Sequence, residues 1–283
     1  MNVPLAAALL GGSVLAASPS AHGGVAQAAE SPARAGLLAD RALAVLYTFG
    51  EDKEDAVANH APRAGVRGGG ATVTRGRLVP GRLPGCHALA LDDGCLLANS
   101  YEPTKRAFSV TLWLRWDGNG TKRGNSNSIN GTIIGNRGYR EGWRVVMDHR
   151  GIVDFCLGTG VQIPSVGARS GGMPVRRGAW QHVACTWDGR FMRVYVNGAL
   201  GGEAVYFGKY FRFGKPRMLT VGYAGMGVGS MKLVYDEIAI FDRALSQAEV
   251  LACAERRAEP GDGAATKPPP RTGGASTRQR RSP

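Results

Sequence analysis

Apolar and polar residues alternate with a period of two through much of the middle of the chain. In the segment FSVTLWLRW every second position is large and apolar: Phe108, Val110, Leu112, Leu114 and Trp116. Successive side chains of a β-strand point to opposite faces, so this alternation predicts a strand with one buried face. Four further segments are interpreted as strands in the same way: residues 131–136, 142–158, 217–223 and 230–242.

The segment AWQHVACTWDGRFMRVYVNG, residues 179–198, contains two such runs, separated by Asp188-Gly189 and closed by Asn197-Gly198. Both dipeptides are typical of tight turns, so the segment predicts a β-hairpin. Because it offers apolar alternation and no nucleophile beside a base, we expect this hairpin to be scaffold.

Only residues 246–257, SQAEVLACAERR, have helical character. Ser246 is a suitable N-cap, and Glu249 three residues later completes a capping box. Many short strands followed by one short C-terminal helix predict an all-β fold, either a sandwich or a barrel.

The two ends of the chain differ in composition from this central part. Residues 1–28 carry no charged side chain and end in Ala26-Gln27-Ala28, which is typical of a signal peptide with its cleavage site; an unprocessed Ala/Gly leader is the alternative. The expected location is therefore secreted, periplasmic or cell-surface. Residues 29–43 are interpreted as a linker and 44–257 as one domain. Residues 258–283 lack the apolar area to fold and predict a disordered basic tail.

The charge and the cysteines narrow the range of partners and cofactors. A formal net charge of +13 favours an anionic partner or surface. The five cysteines show no C-x-x-C and no metal-ligand spacing, so a zinc site is not expected. Cys156 and Cys185 are the best candidates for a disulfide, since both lie mid-strand in neighbouring segments, but reduced thiols are favoured.

Residues 205–218, VYFGKYFRFGKPRM, interleave aromatic side chains with cations. Aromatic faces can stack on sugar rings while cations pair with sulfate or uronate groups. The candidate ligand-binding residues are Tyr206, Tyr210, Phe211, Arg212 and Lys215. In the alternative interpretation, the aromatic residues fill the space between two sheets and the cations only solvate the outside.

Several segments between residues 44 and 256 occur in the order and approximate spacing of a known family. Among them are LAVLYTFGE, FSVTLWLRW, WQHVACTWDGRFMRVYVNG and YDEIAIFDRALSQAEV. Together they resemble the laminin G-like jelly-roll family of the concanavalin A-like lectin and glucanase superfamily. The resemblance implies a jelly-roll β-sandwich of two antiparallel sheets. It implies no single function, because one fold hosts many activities.

Glucanases of this fold carry an E-x-D-x-E strand whose carboxylates share one face. In the matching segment DEIAIFD the alternate positions are Glu237, Ala239 and Phe241, so two of the three acids are absent. Asp236 and Glu237 are adjacent and are expected to point to opposite faces. A second acidic pair, Asp148 and Asp154, is a weak candidate because Asp148 precedes turn residues.

The resemblance also implies a structural Ca²⁺, held by an acid near the start of the domain and by the Asp of the late D-E pair. The matching positions are Asn59 and Asp236. Calcium takes about six to eight oxygen ligands and fewer carboxylates weaken its binding, so Asn59 in place of an acid weakens the prediction. Otherwise, Asp236 satisfies backbone N–H groups at a bend.

These features predict an exported, non-catalytic module that binds a polysaccharide or another acidic surface polymer. A structural or adhesive module for an extracellular protein is the alternative, followed by a polysaccharide-cleaving enzyme. Nucleic acid fits the charge but not an exported protein. The apolar run near the N-terminus is too short to span a membrane.

Overall fold

The structure is a computed structural model of the 283-residue chain. It describes residues 37–50, 55–61, 70–98, 107–120, 130–136, 142–158, 166–206, 218–222 and 230–255. The chain divides into two units, residues 1–30 and 31–283, and all described residues belong to the second unit. Among them, no helix is long and apolar enough to cross a membrane.

The described part of this unit consists almost entirely of strands. They are β1 (Leu43–Tyr47), β2 (Ala56–Val57), β3 (Ala71–Pro80), β4 (His87–Ala98), β5 (Phe108–Asn119), β6 (Asn130–Gly135), β7 (Trp143–Asp148), β8 (Val153–Leu157), β9 (Val166–Arg169), β10 (Trp180–Trp187), β11 (Phe191–Val196), β12 (Ala199–Val205), β13 (Leu219–Val221) and β14 (Met231–Phe241). Helix α1 spans Gln247–Glu255 near the end of the described residues. The prediction of an all-β fold with one short C-terminal helix is confirmed.

The strands pair antiparallel in the order β12-β11-β10-β5-β14-β4-β13-β6-β7-β8-β9, with β1 added to β14 and β3 to β4. The far ends of this sheet approach each other, because β9 lies against β12. A Cβ on Gly202 would overlap the carbonyl oxygen of Arg169, so glycine permits this approach. The nearly closed sheet forms the two facing layers of a jelly-roll sandwich.

The predicted hairpin of residues 179–198 is confirmed as β10 and β11. The carboxylate of Asp188 accepts the backbone N–H groups of Arg190 at 2.9 Å and Phe191 at 2.6 Å, which closes the turn. Val194 of β11 is fully buried in the core, so the inner face of this hairpin has the scaffold role expected of the segment. Its outer face differs, because it carries the partly exposed Trp180.

The inner faces of the two layers enclose one hydrophobic core with an aromatic centre. The ring centroid of Phe108 lies 5.3 Å from that of Trp143, 5.7 Å from Phe155 and 6.2 Å from Trp187. All four side chains are fully buried. The alternate apolar residues of β5, assigned to one face from the sequence, all belong to this core.

Helix α1 covers part of the outer face, where a second hydrophobic cluster joins its Val250 to Ala184 and Phe241 of the sheet. The predicted capping box is present. The backbone N–H of Ser246 donates to the Glu249 carboxylate at 2.8 Å, and the N–H of Glu249 donates to the Ser246 hydroxyl at 3.3 Å.

Three details of the chain differ from, or refine, the sequence interpretation. Residues 91–94, LDDG, contain turn-forming residues but form a bulge within β4, at which Asp93 has a φ of 56°. Leu37 is buried in the outer cluster, so packing begins inside the segment interpreted as a linker. No disulfide joins Cys156 to Cys185, and all five cysteines are thiols.

Candidate binding site

The outer face of the sheet changes from covered to open within a few residues of β5. Ser109 lies beneath the start of α1, where its hydroxyl accepts the N–H of Leu245 at 2.8 Å. Trp113 lies beneath the guanidinium of Arg82. Arg115, two residues further along, is partly exposed. The open strip at this end of β5 is therefore the part of the face available to a ligand.

The strand register places five residues side by side across this strip, four of them exposed or partly exposed and one, Val234, 3% exposed. They are Arg77, Ala90, Val234, Arg115 and Trp180, on β3, β4, β14, β5 and β10 in that order. None of them belongs to the inner core, which takes the alternate residues of the same strands. We call this set the Arg77–Trp180 row.

Trp180 stands at one end of the Arg77–Trp180 row, with its side chain partly exposed. The guanidinium carbon of Arg115 lies 5.4 Å from the ring centroid of Trp180. Asp117 fixes this arginine: Nε donates to Oδ1 at 2.7 Å and Nη2 donates to Oδ2 at 2.9 Å. The hydrogen bonds to Asp117 raise the pKa of Arg115 and hold its guanidinium beside the indole.

Beyond Trp180 lies a groove of about 580 Å³, lined also by Met173, Pro174 and Arg176. Met173 is 38% exposed and contributes apolar surface to the groove. The loop that carries these residues is tied to β10, because the side-chain carbonyl of Gln181 accepts the backbone N–H of Arg176. The groove thus combines a wall of apolar surface with an exposed cation.

The charges around the groove are predominantly positive. Arg176, which lines the groove, and its neighbour Arg177 are exposed, and neither forms an ion pair within the part of the chain that the structure describes. Arg177 stacks 4.6 Å over the ring of Trp116 at the adjacent end of the sandwich. An anionic group entering the groove would meet cations without internal counterions.

A second polar cluster lies one row away and is covered. Asp236 lies opposite Trp113, and Trp113 lies opposite His182. Arg82, from the turn between β3 and β4, places its guanidinium carbon 4.3 Å from the Trp113 ring centroid. Its Nε lies 3.9 Å from Oδ2 of Asp236, and its backbone N–H donates to the same oxygen at 3.4 Å. We call Arg82, Trp113, His182, Asp236 and Glu237 the Arg82 cluster.

The expectation that Asp236 and Glu237 point to opposite faces is wrong. The pairing of β14 with β5 shifts register between Asp236 and Ala239, and Glu237 has a left-handed φ of 45°. This bulge brings Glu237 toward Arg82, whose Nη2 lies 3.8 Å from Oε2 of Glu237. Both carboxylates therefore face one guanidinium. Burial raises the pKa of Asp236 to about 6; Arg82 opposes the rise, and Glu237 adds to it.

Asn59, the other residue implied as a calcium ligand, joins its loop to β1. Its Oδ1 accepts the N–H of Leu46 at 2.8 Å and that of Ala61 at 3.1 Å. Its Nδ2 donates to the carbonyl of Ala44 at 3.2 Å. The amide thus replaces backbone partners that an irregular segment beside a strand would otherwise lack.

The two implied calcium ligands do not fit the oxygen shell of that ion. Asn59 uses its oxygen for two backbone N–H groups, and Asp236 faces Arg82. In the described residues, no group of three or more His, Cys, Asp or Glu side chains could hold a metal ion. Calcium takes about six to eight oxygen ligands, and the described surroundings of Asp236 supply a cationic side chain instead.

Of the predicted ligand-binding residues, only Tyr206 is described. It is 8% exposed, and its ring centroid lies 6.2 Å from that of Trp187 at the inner core. For this residue the structure agrees with the alternative in which the aromatic side chains fill the space between the sheets. The other four lie outside the described residues, and their assignment stays a prediction: Tyr210, Phe211, Arg212 and Lys215.

The candidate acidic pair Asp148 and Asp154 is bridged by Arg169, whose Nη2 lies 3.5 Å from Asp148 and whose Nε lies 3.4 Å from Asp154. Asp148 also accepts the N–H groups of Arg150 at 2.9 Å and Ile152 at 3.1 Å, which closes the turn between β7 and β8 as predicted. Burial raises the pKa of Asp154. Both carboxylates thus have structural partners.

The groove beside Trp180 was not predicted from the sequence. Trp180 and His182 lie on the same face of β10, because alternate residues of a strand point the same way. The alternation of residues 180–187 therefore already indicates that Trp180 faces away from the core. Its position beside Arg115 depends on the register between β10 and β5, and a single sequence does not give that register.

No curated protein sequence matches this chain. Among solved structures, the fold is similar to the binding domain of Paraclostridial Mosquitocidal Protein 1, with a TM-score of 0.58 and 12% identity, covering 75% of this chain and 51% of that one. It is also similar to Domain 4 of AbnA, a GH43 extracellular arabinanase from Geobacillus stearothermophilus, in complex with arabinotriose. That match has a TM-score of 0.56 and 18% identity, covering 75% of this chain and 98% of that one.

A third similar structure is the binding domain of Botulinum Neurotoxin DC in complex with SialylT. Its TM-score is 0.53 at 16% identity, covering 76% of this chain and 51% of that one. The chain spans about half the length of the toxin binding domains it matches. At these identities the likeness shows the fold alone.

The family follows from the sequence comparison. A laminin G family model, described as Concanavalin A-like lectin/glucanases superfamily, matches residues 90–251, more than half of the chain. The resemblance seen in the motifs is confirmed over this range. The chain belongs to the laminin G-like family of the Concanavalin A-like lectin/glucanases superfamily.

Proposed function

We propose that this protein is a non-catalytic module that binds an anionic glycan, and that the groove beside Trp180 is its binding site. The observation that carries the proposal is a partly exposed indole in a groove that is also lined by the exposed Arg176. The indole face would stack on a sugar ring, and the guanidinium groups would pair with uronate carboxylates or sulfate esters. Export, which the N-terminal sequence predicts, would bring the groove to polymers outside the cytoplasm.

The groove is held in place before a ligand arrives, which supports a binding role. Asp117 fixes Arg115 beside Trp180 through two hydrogen bonds. Gln181 fixes the backbone of Arg176. Side chains and loops that are already ordered lose less entropy on binding, so each contact contributes more to affinity.

The solved structures with this fold give further support. They include toxin binding domains and an arabinanase domain in complex with arabinotriose. A Botulinum neurotoxin DC binding domain is also known in complex with rat synaptotagmin II, so a protein partner is the competing outcome. The charge of this groove favours the glycan, because an anionic polymer presents many equivalent charges to it.

We do not propose catalysis, because the paired carboxylates have other partners. Asp236 and Glu237 share Arg82 beneath a cover, and Asp148 and Asp154 share Arg169. Glycoside hydrolysis requires an acid and a base or nucleophile that flank a bound substrate. In the described residues, neither pair stands open in the groove beside Trp180.

Gel retardation against polygalacturonate, heparin and neutral dextran tests the proposal. We expect the two anionic polymers to retard the protein, and dextran not to. Trp180→Ala and Arg176→Gln should each weaken retention, by about tenfold for the tryptophan, since one decade in affinity corresponds to about 1.4 kcal/mol. Rising salt should weaken retention, because exposed ion pairs are screened.

Arg41→Gln is the charge-matched control, since Arg41 is exposed and lies outside the groove. It should bind the polymers as the wild-type protein does. The proposal is contradicted if neither anionic polymer retards the protein, or if Trp180→Ala binds as tightly as Arg41→Gln. Tighter retention by single-stranded DNA than by either polysaccharide would also contradict it.

A further inference from the structure

The groove beside Trp180 is not the end of the cationic surface. A second groove, of about 410 Å³, follows the other end of the Arg77–Trp180 row. It is lined by Arg77, Ala90 and Val234, and Asp117 stands at the side nearest Arg115. Arg115 lies opposite both Val234 and Trp180, so this one residue stands between the two grooves along the row.

The second groove has small apolar side chains at its base and charged side chains at its edges. Ala90 and Val234 both line it; Ala90 is partly exposed, and Val234 is 3% exposed. Arg77 is exposed at the far end and forms no ion pair among the described residues. The nearby Lys232 differs, because its Nζ lies 3.1 Å from the Asp92 carboxylate. Arg75, which also lines this groove, is exposed as well, so two arginines on this side have no ion pair among the described residues.

We propose that the glycan site extends from Trp180 across β5, β14 and β4 to Arg77, so that its ligand is a linear polyanionic polysaccharide lying across the strands. This inference rests on the proposed function and names the form of its ligand. The row crosses four strand spacings, or roughly 19 Å. That distance is longer than a disaccharide, so a short fragment placed on Trp180 does not reach Arg77.

The Trp180 end and the Arg77 end of the proposed site offer a sugar chain different contacts. Substitutions at the two ends should therefore affect short and long oligomers differently. At the Trp180 end a sugar ring finds an aromatic face and the guanidinium of Arg176. At the Arg77 end it finds an exposed guanidinium and the small side chain of Ala90. The Arg77 end therefore adds charge pairing only to chains long enough to reach it, as a second contact within one ligand.

Binding of galacturonate oligomers of two lengths, a disaccharide and a decasaccharide, tests the extension. By titration calorimetry we expect the decasaccharide to bind the wild-type protein more tightly. Arg77→Gln should weaken decasaccharide binding by about fivefold, as expected for an exposed ion pair, and leave the disaccharide unchanged. Ala90→Glu, which places a carboxylate in the second groove, should also weaken the binding of the decasaccharide only.

The same measurements separate failure of the extension from failure of the proposed function. Equal decasaccharide affinities for Arg77→Gln, Ala90→Glu and the control Arg41→Gln would overturn the extension and leave the groove at Trp180 intact. If Trp180→Ala changes neither oligomer, or if neither oligomer nor the matching heparin fragments bind, the proposed function fails with it. Thermal unfolding of each variant shows that a loss of binding is not a loss of folding.

Discussion

Trp113 and Trp180 lie on the same outer face, in neighbouring rows of β5 and β10, yet the two indoles have opposite surroundings. Each has a guanidinium beside it: Arg82 at 4.3 Å from Trp113, and Arg115 at 5.4 Å from Trp180. Each arginine also has an aspartate partner. The side chain of Arg82 is 7% exposed, whereas that of Arg115 is 28% exposed.

The difference comes from the cover and not from the residue types. The turn between β3 and β4 places Arg82 over Trp113, so the aromatic face, the cation and the carboxylates partner one another. At Trp180 no equivalent turn among the described residues places a side chain over the whole indole, and exposed arginines lie nearby. An indole, a guanidinium and a carboxylate therefore stabilise the fold in the covered row of Trp113. The same three groups are partly open to solvent in the row of Trp180.

The largest expected effect separates the two tryptophans by stability. Trp113 is 5% exposed, so Trp113→Ala should lower the free energy of unfolding by roughly 3–5 kcal/mol through lost burial and an internal void. Trp180→Ala should cost at most about 1 kcal/mol, as for most partly exposed positions. Urea denaturation of both variants measures this difference. Equal losses would mean that Trp180 is a core residue and not a binding surface.

Arg82→Met should give the next largest effect. The methionine keeps an apolar contact with Trp113 but leaves Asp236 and Glu237 facing each other without their cation. Removing one partner of a buried pair costs about 3 kcal/mol, and we expect a loss of that order near neutral pH. Arg115→Met, at the open row, is the matched variant and should lose much less. Similar losses in urea denaturation would contradict the contrast between the rows.

Much of the architecture could be predicted from the sequence, because it depends on local patterns. The alternation in β5, the Asp188-Gly189 turn and the Ser246–Glu249 capping box each occupy a few consecutive residues. The family resemblance came from the same segments. Each of these features is decided by backbone geometry that neighbouring residues share.

The candidate site could not be predicted in the same way, because it depends on register and bulges. The Arg77–Trp180 row assembles residues from five strands, and no local pattern gives their alignment. The bulge at Glu237 breaks the alternation that placed its carboxylate on the opposite face from Asp236. Tyr206 was predicted to bind a ligand because its segment, residues 205–218, is rich in aromatic and cationic residues. Its backbone position at the end of β12 instead places its ring against Trp187.

The pH dependence of stability should differ between wild type and Asp236→Asn. Burial raises the pKa of Asp236 from 3.8 to about 6, so the folded state holds a proton that the unfolded state releases between these values. The contribution of this carboxyl to stability is therefore fully present below its unfolded pKa and is lost as the pH rises through about 6. From about pH 4 to about pH 7, the stability of wild type relative to Asp236→Asn should fall by about 2 kcal/mol.

Urea denaturation across this pH range checks the difference. The comparison with the variant is needed because other carboxyls act in the opposite sense. Hydrogen bonds from Arg243 lower the pKa of Glu249 to about 2, so its contribution is lost as the pH falls through that value. A constant difference between wild type and Asp236→Asn would show that Asp236 titrates normally and that the Arg82 cluster is more hydrated than its burial indicates.

The smallest expected effect concerns calcium, which the family resemblance implies at Asn59 and Asp236. Because Asp236 faces Arg82 and Asn59 bonds to β1, we expect EDTA or added Ca²⁺ to shift the melting temperature by less than about 1 °C, since an ion without affinity for the folded state does not stabilise it. Asp236→Ala should then lose the same stability in Ca²⁺ as in EDTA. A melting temperature that falls in EDTA and returns with Ca²⁺ but not with Mg²⁺ would show that a metal acts here. In that case the guanidinium of Arg82 would have to move away from Asp236, because a cation and a calcium ion cannot share one carboxylate at these distances without strong repulsion.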